Sequence, residues 1–183
     1  MITLVTEFFF YSFLGFLLEV LYARLLGRGG RGRKCLLFLP LCPVYGLGAV
    51  SILHMPPQLQ SHPMAIFVAG GLLATLAEYA VGGFYLWGAG VRFWDYSNAP
   101  GNLSGLICPL YTFYWGLLAV ELVLGLHPAL SPWLIQIPAE LIFLLFSFFA
   151  ADSLCSLWVL HRTGKPDSLM WYRAFTTPQN TSM

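Results

Sequence analysis

Three carboxylic acids, Glu19, Glu78 and Asp152, stand inside long apolar runs. At the centre of a membrane helix an acid costs roughly 2.5–3.5 kcal/mol, whereas each Leu, Ile, Phe or Val contributes only about 0.3–0.6 in return. The first apolar run is rich enough to carry one acid and has little room for a second. An acid kept at that cost faces a bundle interior or a water-filled cavity, where it can bind a solute or move a proton. Glu19 shares its helical stripe with Ser12, Gly15, Tyr22 and Ala23, and Glu78 shares its own with Gly71, Thr75 and Gly82. Small and polar residues on one stripe let helices approach and hydrogen-bond across the contact, so both acids should point inward. Two roles stay open. The acids line a cavity, or they pin helices together through hydrogen bonds to Tyr22, Tyr45, Tyr79 or Tyr111.

The segment Arg92-Phe93-Trp94-Asp95-Tyr96-Ser97 sets interfacial aromatics beside an acid and a base, and Asn98-Ala99-Pro100-Gly101-Asn102 follows with turn chemistry. It is too polar to cross a membrane and too aromatic for a plain solvent loop. Either it folds over the mouth of a bundle, with Asp95, Asn98 and Asn102 above the layer of acids, or it is an anchor belt with Asp95 paired to Arg92. The candidate cavity set is therefore Glu19, Tyr22, Tyr45, Glu78, Asp95, Tyr96, Asn98, Asn102, Tyr111 and Asp152. Glu121 reads as interfacial, and Gln136 and Glu140 also lie near the outer ends of their helices. The spacing of Cys35, Cys42, Cys108 and Cys155 matches no zinc pattern, and His54, His62, His127 and His161 stand singly at helix ends, so no metal or other cofactor is expected.

The elements that must position these residues follow from composition. Of 183 residues, 58% are hydrophobic and 9% charged, against about 25% charged in an average soluble domain. No water-facing surface can be made from that supply. The chain reads as all-α, a polytopic membrane bundle of about five helices at residues 4–26, 36–54, 64–86, 103–125 and 133–160. Residues 1–160 form the membrane domain and 161–183 a cytosolic tail. Every Lys and Arg then falls on one side, at Arg24, Arg28, Arg31, Arg33, Lys34, Arg92, Arg162, Lys165 and Arg173, and the positive-inside rule makes that side the cytosol, with the N-terminus outside. All four cysteines lie towards that reducing side and are expected as free thiols. No basic stretch precedes the first apolar run, so no cleaved signal is expected. A net charge of +1 argues against a nucleic-acid partner; the partner is the lipid bilayer of the cell membrane.

Leu41-Cys42-Pro43-Val44-Tyr45 is echoed by Ile107-Cys108-Pro109-Leu110-Tyr111, each after a helix bearing a glutamate. This is either a parallel two-helix repeat of the kind some transporters use, or Pro and Tyr simply opening two membrane helices.

These segments together resemble a small membrane family labelled ABC-transporter permease, CmpB type. The resemblance rests on Tyr11-Ser12 with Gly15 and Glu19, Pro40 to Gly46, Glu78-Tyr79 with Gly82, Trp94 to Ser97 with Asn102 and Gly105, and Cys108, Tyr111 and Trp115-Gly116, over about 105 residues. Leu39 stands where that family often has Gly. The resemblance implies a transport role. No G-x-x-x-x-G-K-[ST] phosphate loop is present, so ABC-type function implies a separate ATPase subunit, and five helices imply a homo- or hetero-oligomer around any pathway. The alternative is a membrane-embedded enzyme or binding protein for a lipid or isoprenoid, working through acid-base carboxylates.

Overall fold

The computed structural model describes residues 2–25 and 35–170. Arg28, Arg31, Arg33, Lys34, Arg173 and residues 171–183 of the expected tail lie outside the described residues. The described chain is all-α: α1 (Ile2–Leu25), α2 (Pro43–Leu53), α3 (Pro63–Ala89), α4 (Pro109–Glu121), α5 (His127–Leu134) and α6 (Ala139–Thr163). A π turn, Leu122–Leu126, joins α4 to α5 in one rod, Pro109–Leu134. Four helices, α1, α3, the α4–α5 rod and α6, are long and apolar enough to cross a membrane, and α2 is shorter. At 1.5 Å per residue the long helices reach about 36–40 Å, enough for a hydrocarbon core of about 30 Å, whereas α2 reaches only about 16 Å.

The expected helix at 36–54 is thus half helix and half extended chain. Pro40 and Pro43 explain the break: neither can donate to a helical ladder, and each pushes its preceding residue, Leu39 or Cys42, out of the helical region. Cys42 caps α2 in an extended conformation with Pro43 in the first turn. Cys108 and Pro109 open α4 in the same way, so the two Cys-Pro-x-Tyr segments share their local structure even though the helices that follow differ in length.

Irregular backbone inside a bundle needs hydrogen-bond partners from the protein itself. The Cys42 N–H donates to the Ser12 carbonyl at 2.9 Å. The N–H groups of Leu37, Phe38 and Leu39 converge on the Asp152 carboxylate at 2.7–3.2 Å, and Leu37 also donates to the Ser156 hydroxyl at 2.8 Å.

The helix expected at 103–125 begins at Pro109 and continues to Leu134. Gly101, Ser104 and Gly105 all have positive φ, which holds the preceding stretch in a loop, and the connection expected over 126–132 is helical. In the π turn the His127 N–H reaches back to the Leu122 carbonyl; this wider turn sits just ahead of Pro128, which has no N–H to offer.

In the packing, α2 lies between α1 and α3, α3 packs along α4, and α6 sits at the edge against α1 and α3. Gly71 meets the backbone of Thr112 and Gly116, Gly70 meets Ala119, and Thr75 donates to the Thr112 hydroxyl at 2.9 Å. The Tyr45 ring occupies the space where a Cβ on Gly15 would stand. Gly15→Ala is therefore expected to cost roughly 1–3 kcal/mol through overpacking, read as a lower unfolding midpoint in detergent. An unchanged midpoint would mean that Tyr45 has room to move aside.

All four cysteines are free. Large side chains such as Leu72, Leu76, Leu144 and Leu154 are exposed on the outer helix faces, as lipid-facing residues are.

Candidate functional site

A cavity of about 740 Å³ lies at the end of the bundle where α1, α3 and α6 finish and α2 and α4 begin. Glu19 comes from the last third of α1 and accepts a hydrogen bond from the Tyr45 hydroxyl at 2.9 Å. The Tyr45 ring packs at 5.0 Å on Trp115, whose indole N–H donates to Glu78 Oε2 at 2.9 Å. The other oxygen, Glu78 Oε1, accepts from the Tyr96 hydroxyl at 3.0 Å, and the Tyr96 ring stacks on Tyr111 with centroids 4.3 Å apart. One connected chain of carboxylates and aromatic rings thus runs from α1 through α2 and α4 to α3 and the loop that follows it. Glu78 is 2% exposed, while Glu19 is half-buried. The two acids come from separate helices and border the same space, whose remaining lining is mostly aromatic.

The loop between α3 and α4 forms the roof, and its own polar groups hold its shape. Gly90 ends α3 with positive φ. The Trp94 indole N–H donates to the Leu106 carbonyl at 2.7 Å and the Tyr96 N–H to the Gly105 carbonyl at 2.8 Å. Asn102 bridges the turn, donating to the carbonyls of Ser97 and Ala99 and accepting from the Gly105 N–H. A Cβ at Gly105 would collide with Asp95, Ser97 and Arg92, and with its φ of +69° that position calls for glycine. Hydrogen bonds from the Ser97 hydroxyl and then its backbone N–H hold the Asp95 carboxyl below the usual carboxylate range, with a smaller contribution from Arg92, whose Nη1 is 3.8 Å away.

Of the ten residues singled out by sequence, Glu19, Tyr22, Tyr45, Glu78, Asp95, Tyr96 and Tyr111 border this one cavity. Three do not. Asn98 is exposed at the loop tip, Asn102 ties the loop together, and Asp152 is spent on the extended segment before α2. Sequence reasoning named Trp115 only among the residues that carry the family resemblance and left it out of the cavity set, although it touches both Tyr45 and Glu78; its place four residues after Tyr111, one helical turn away, was the available signal. It also passed over Asp167 and Met170, which close the cavity from beyond α6.

At the opposite end of α1 a second polar cluster appears where the histidines were expected to stand singly. Glu7 is 4% exposed, with its Oε2 2.7 Å from His54 Nε2 and its Oε1 3.9 Å from His127 Nε2. His127 Nδ1 meets the Tyr11 hydroxyl at 2.8 Å. Glu7 and Tyr11 lie one helical turn apart, which was legible; the arrival of His54 and His127 from α2 and α5 was not. Among the described residues no group of three or more His, Cys, Asp or Glu side chains is arranged to hold a metal ion.

A family model described as Putative ABC-transporter type IV matches residues 6–157, which takes in α1 to α5, the loop and most of α6. No curated protein and no solved structure matches the chain.

Proposed function

Because the chain belongs to the Putative ABC-transporter type IV family, we propose that this multipass membrane protein is the membrane-spanning part of a transport complex and that the cavity holding Glu19 and Glu78 is its solute compartment. The convergence of two intramembrane acids from separate helices on one cavity of about 740 Å³ carries this reading, since acids at such depth ordinarily mark a solute or ion path. Arg24, Arg92, Arg162 and Lys165 lie at or beyond the helix ends that surround the cavity. By the positive-inside rule that end faces the cytosol, so that the chain leaves α6 on the cytosolic side and the N-terminus lies on the far side.

The chain has no phosphate-binding loop, so ATP hydrolysis comes from a separate subunit, for which the outer surface of the Trp94-Asp95-Tyr96 loop is the dock. The under-surface of that loop, through Tyr96, is the gate over Glu78. A second copy or another membrane subunit completes the pathway: among the described residues four helices are long enough to span and one is shorter, and the cavity lies at one end of them.

The test compares small-molecule pools, by untargeted mass spectrometry, in cells lacking the protein and in cells complemented with wild type or with Glu19→Gln. We expect deletion to shift at least one pool, wild type to restore it, and Glu19→Gln to restore it by less than about a tenth. Deletion without effect on any pool, or full rescue by Glu19→Gln, would refute the assignment.

A further inference from the structure

The cavity does not end at Tyr45 and Trp115. An apolar groove of about 390 Å³ begins there, since Leu18, Tyr45, Trp115 and Leu118 border both spaces. It runs between α1 and the α4–α5 rod, past Ala49 and Ile52 of α2, and reaches Tyr11 and Leu126 at its far end. The rod wall from Trp115 to Leu126 measures about 16 Å at 1.5 Å per residue. Its open flank, where Leu17, Leu21 and Leu118 are exposed, faces the lipid or the second subunit that completes the pathway.

Across that far end stands the polar cluster of Glu7, His54 and His127. Tyr11 belongs to both: it lines the groove, and its hydroxyl meets His127 Nδ1 at 2.8 Å. With an Nε2–H directed at Glu7 Oε1, 3.9 Å away, His127 Nδ1 is left to accept the tyrosine proton. Glu7 Oε2 holds His54 Nε2 at 2.7 Å. The cluster therefore fastens α1 to the end of α2 and to the start of α5, one or two residues beyond the groove walls Ile52 and Leu126. Glu7 is buried while His54 is half-exposed, so the cluster reaches from the groove to the outer surface.

A hinge lies directly beneath it. Leu122–Leu126 is the π turn, and His127 is the first residue of α5 beyond that turn. Pro128 and Pro132 follow, and neither has an N–H to give to the helical ladder. A π turn followed by proline is where a long helix bends. Bending there carries His127 away from Tyr11 and Glu7, while α4 stays packed on α3 through Gly70 and Gly71.

Resting on the reading of the cavity as a solute compartment, we infer that Glu7, Tyr11, His54 and His127 form the outer gate of its pathway. A compartment that opens at one end of a membrane protein needs a closure at the other, which opens in its turn. The gate is shut in this structure. Movement of α5 about the π turn breaks the His127 contacts and joins the groove to the outer solution.

The test is thiol accessibility in intact cells that produce the full-length protein. Ala49→Cys places a reporter in the groove on the inner side of the cluster, and Gln58→Cys places one on the exposed turn outside it. The reagent is a membrane-impermeant methanethiosulfonate with a quaternary ammonium group, added from outside, and the labelled peptides are read by mass spectrometry. Ala49→Cys is expected to react slowly, and at least about tenfold faster once His127→Phe or Glu7→Gln is added, the change expected when a closed state loses a hydrogen bond to a charged group. Gln58→Cys should react alike throughout. His127→Phe keeps a ring against Tyr11 and Glu7→Gln keeps an acceptor for His54, so neither variant empties the packing. Cys35 and Cys42, both buried, report on the fold through their reaction with the permeant reagent N-ethylmaleimide.

Unchanged labelling of Ala49→Cys in both variants would overturn the gate. So would faster labelling that also exposes Cys35 and Cys42, because that is general loosening. The transport reading is tested separately. A metabolite pool that depends on Glu19, with no change in labelling, leaves the compartment standing and removes the gate; faster labelling without any dependent pool leaves the outer closure standing and removes the compartment's role.

Discussion

Asp152→Ala is expected to be the most destabilising single substitution in the described chain, at about 3 kcal/mol or more, with little protein accumulating in the membrane. Asp152 is 3% exposed, and its two oxygens accept the backbone N–H groups of Leu37, Phe38 and Leu39. Each buried N–H left without a partner costs roughly 1–3 kcal/mol, and the hydrocarbon core of a bilayer holds no water to take over. The segment cannot turn helical in compensation, because Pro40 and Pro43 forbid it. Damage at Asp152 therefore reaches the cavity: the extended segment leads directly into α2, and α2 carries Tyr45, the partner of Glu19. Asp152→Asn, which keeps one accepting oxygen, should lose about half as much, and Ser156→Ala, which removes one of the acceptors for Leu37, less again. The ordering is read from unfolding midpoints in one detergent, and three equal midpoints would show that the extended segment finds other partners.

Glu78→Gln should abolish transport while lowering stability by only about 1 kcal/mol. Two described partners of Glu78, Trp115 and Tyr96, differ in what they can do. The Trp115 indole is a donor and nothing else, whereas the Tyr96 hydroxyl can rotate to accept. A glutamine can therefore aim its carbonyl at Trp115 and its amide at Tyr96, keeping these two contacts while the charge is lost. Trp115→Phe is the complementary variant: it keeps most of the ring packing against Tyr45 and leaves Glu78 Oε2 without its indole donor. If the acid serves only to pin α3 to α4 and the loop, Glu78→Gln will transport normally. Loss of transport at near-native stability assigns the charge itself to the solute. Transport is measured on the metabolite pool that responds to deletion, and stability on the purified variant.

Much of the cavity lining was legible beforehand for one physical reason: an acid in an apolar helix is costly enough to need a use. That argument picked out Glu19 and Glu78, and the Cys-Pro-x-Tyr pattern picked out Tyr45 and Tyr111, all of which border the cavity. It also picked out Asp152, rightly as a residue with a use, but the cost of burying a carboxylate does not distinguish a solute from three backbone N–H groups. For the Trp94-Asp95-Tyr96 loop the sequence left a cover and an anchor belt with Asp95 paired to Arg92 both open; Trp94 and Tyr96 line the cavity, and Asp95 also stands 3.8 Å from Arg92. Its two asparagines were grouped with the acids by proximity in sequence, and Asn102 instead satisfies the loop's own backbone while Asn98 is exposed.

The sequence by itself determined the solvent and the class of fold. Apolar runs with few charges admit only helices in a bilayer, because every backbone polar group must be satisfied within the segment, and the stripes of Gly, Ser and Thr already marked which helix faces meet. It did not determine where helicity stops and resumes. Run length predicted a helix over 36–54 and a break over 126–132, and the structure has the reverse in part, an extended entry to α2 and a continuous rod through Pro128. Both departures depend on partners remote in sequence or on a local change of helical pitch: Asp152, more than a hundred residues away, makes the extended segment affordable, and the π turn carries the rod past a proline. Tertiary structure alone joined Glu7 to His54 and His127 and brought Tyr45 and Trp115 into contact between Glu19 and Glu78. Such meetings are set by how α1, α2 and α4 cross, and no periodicity along one helix encodes that.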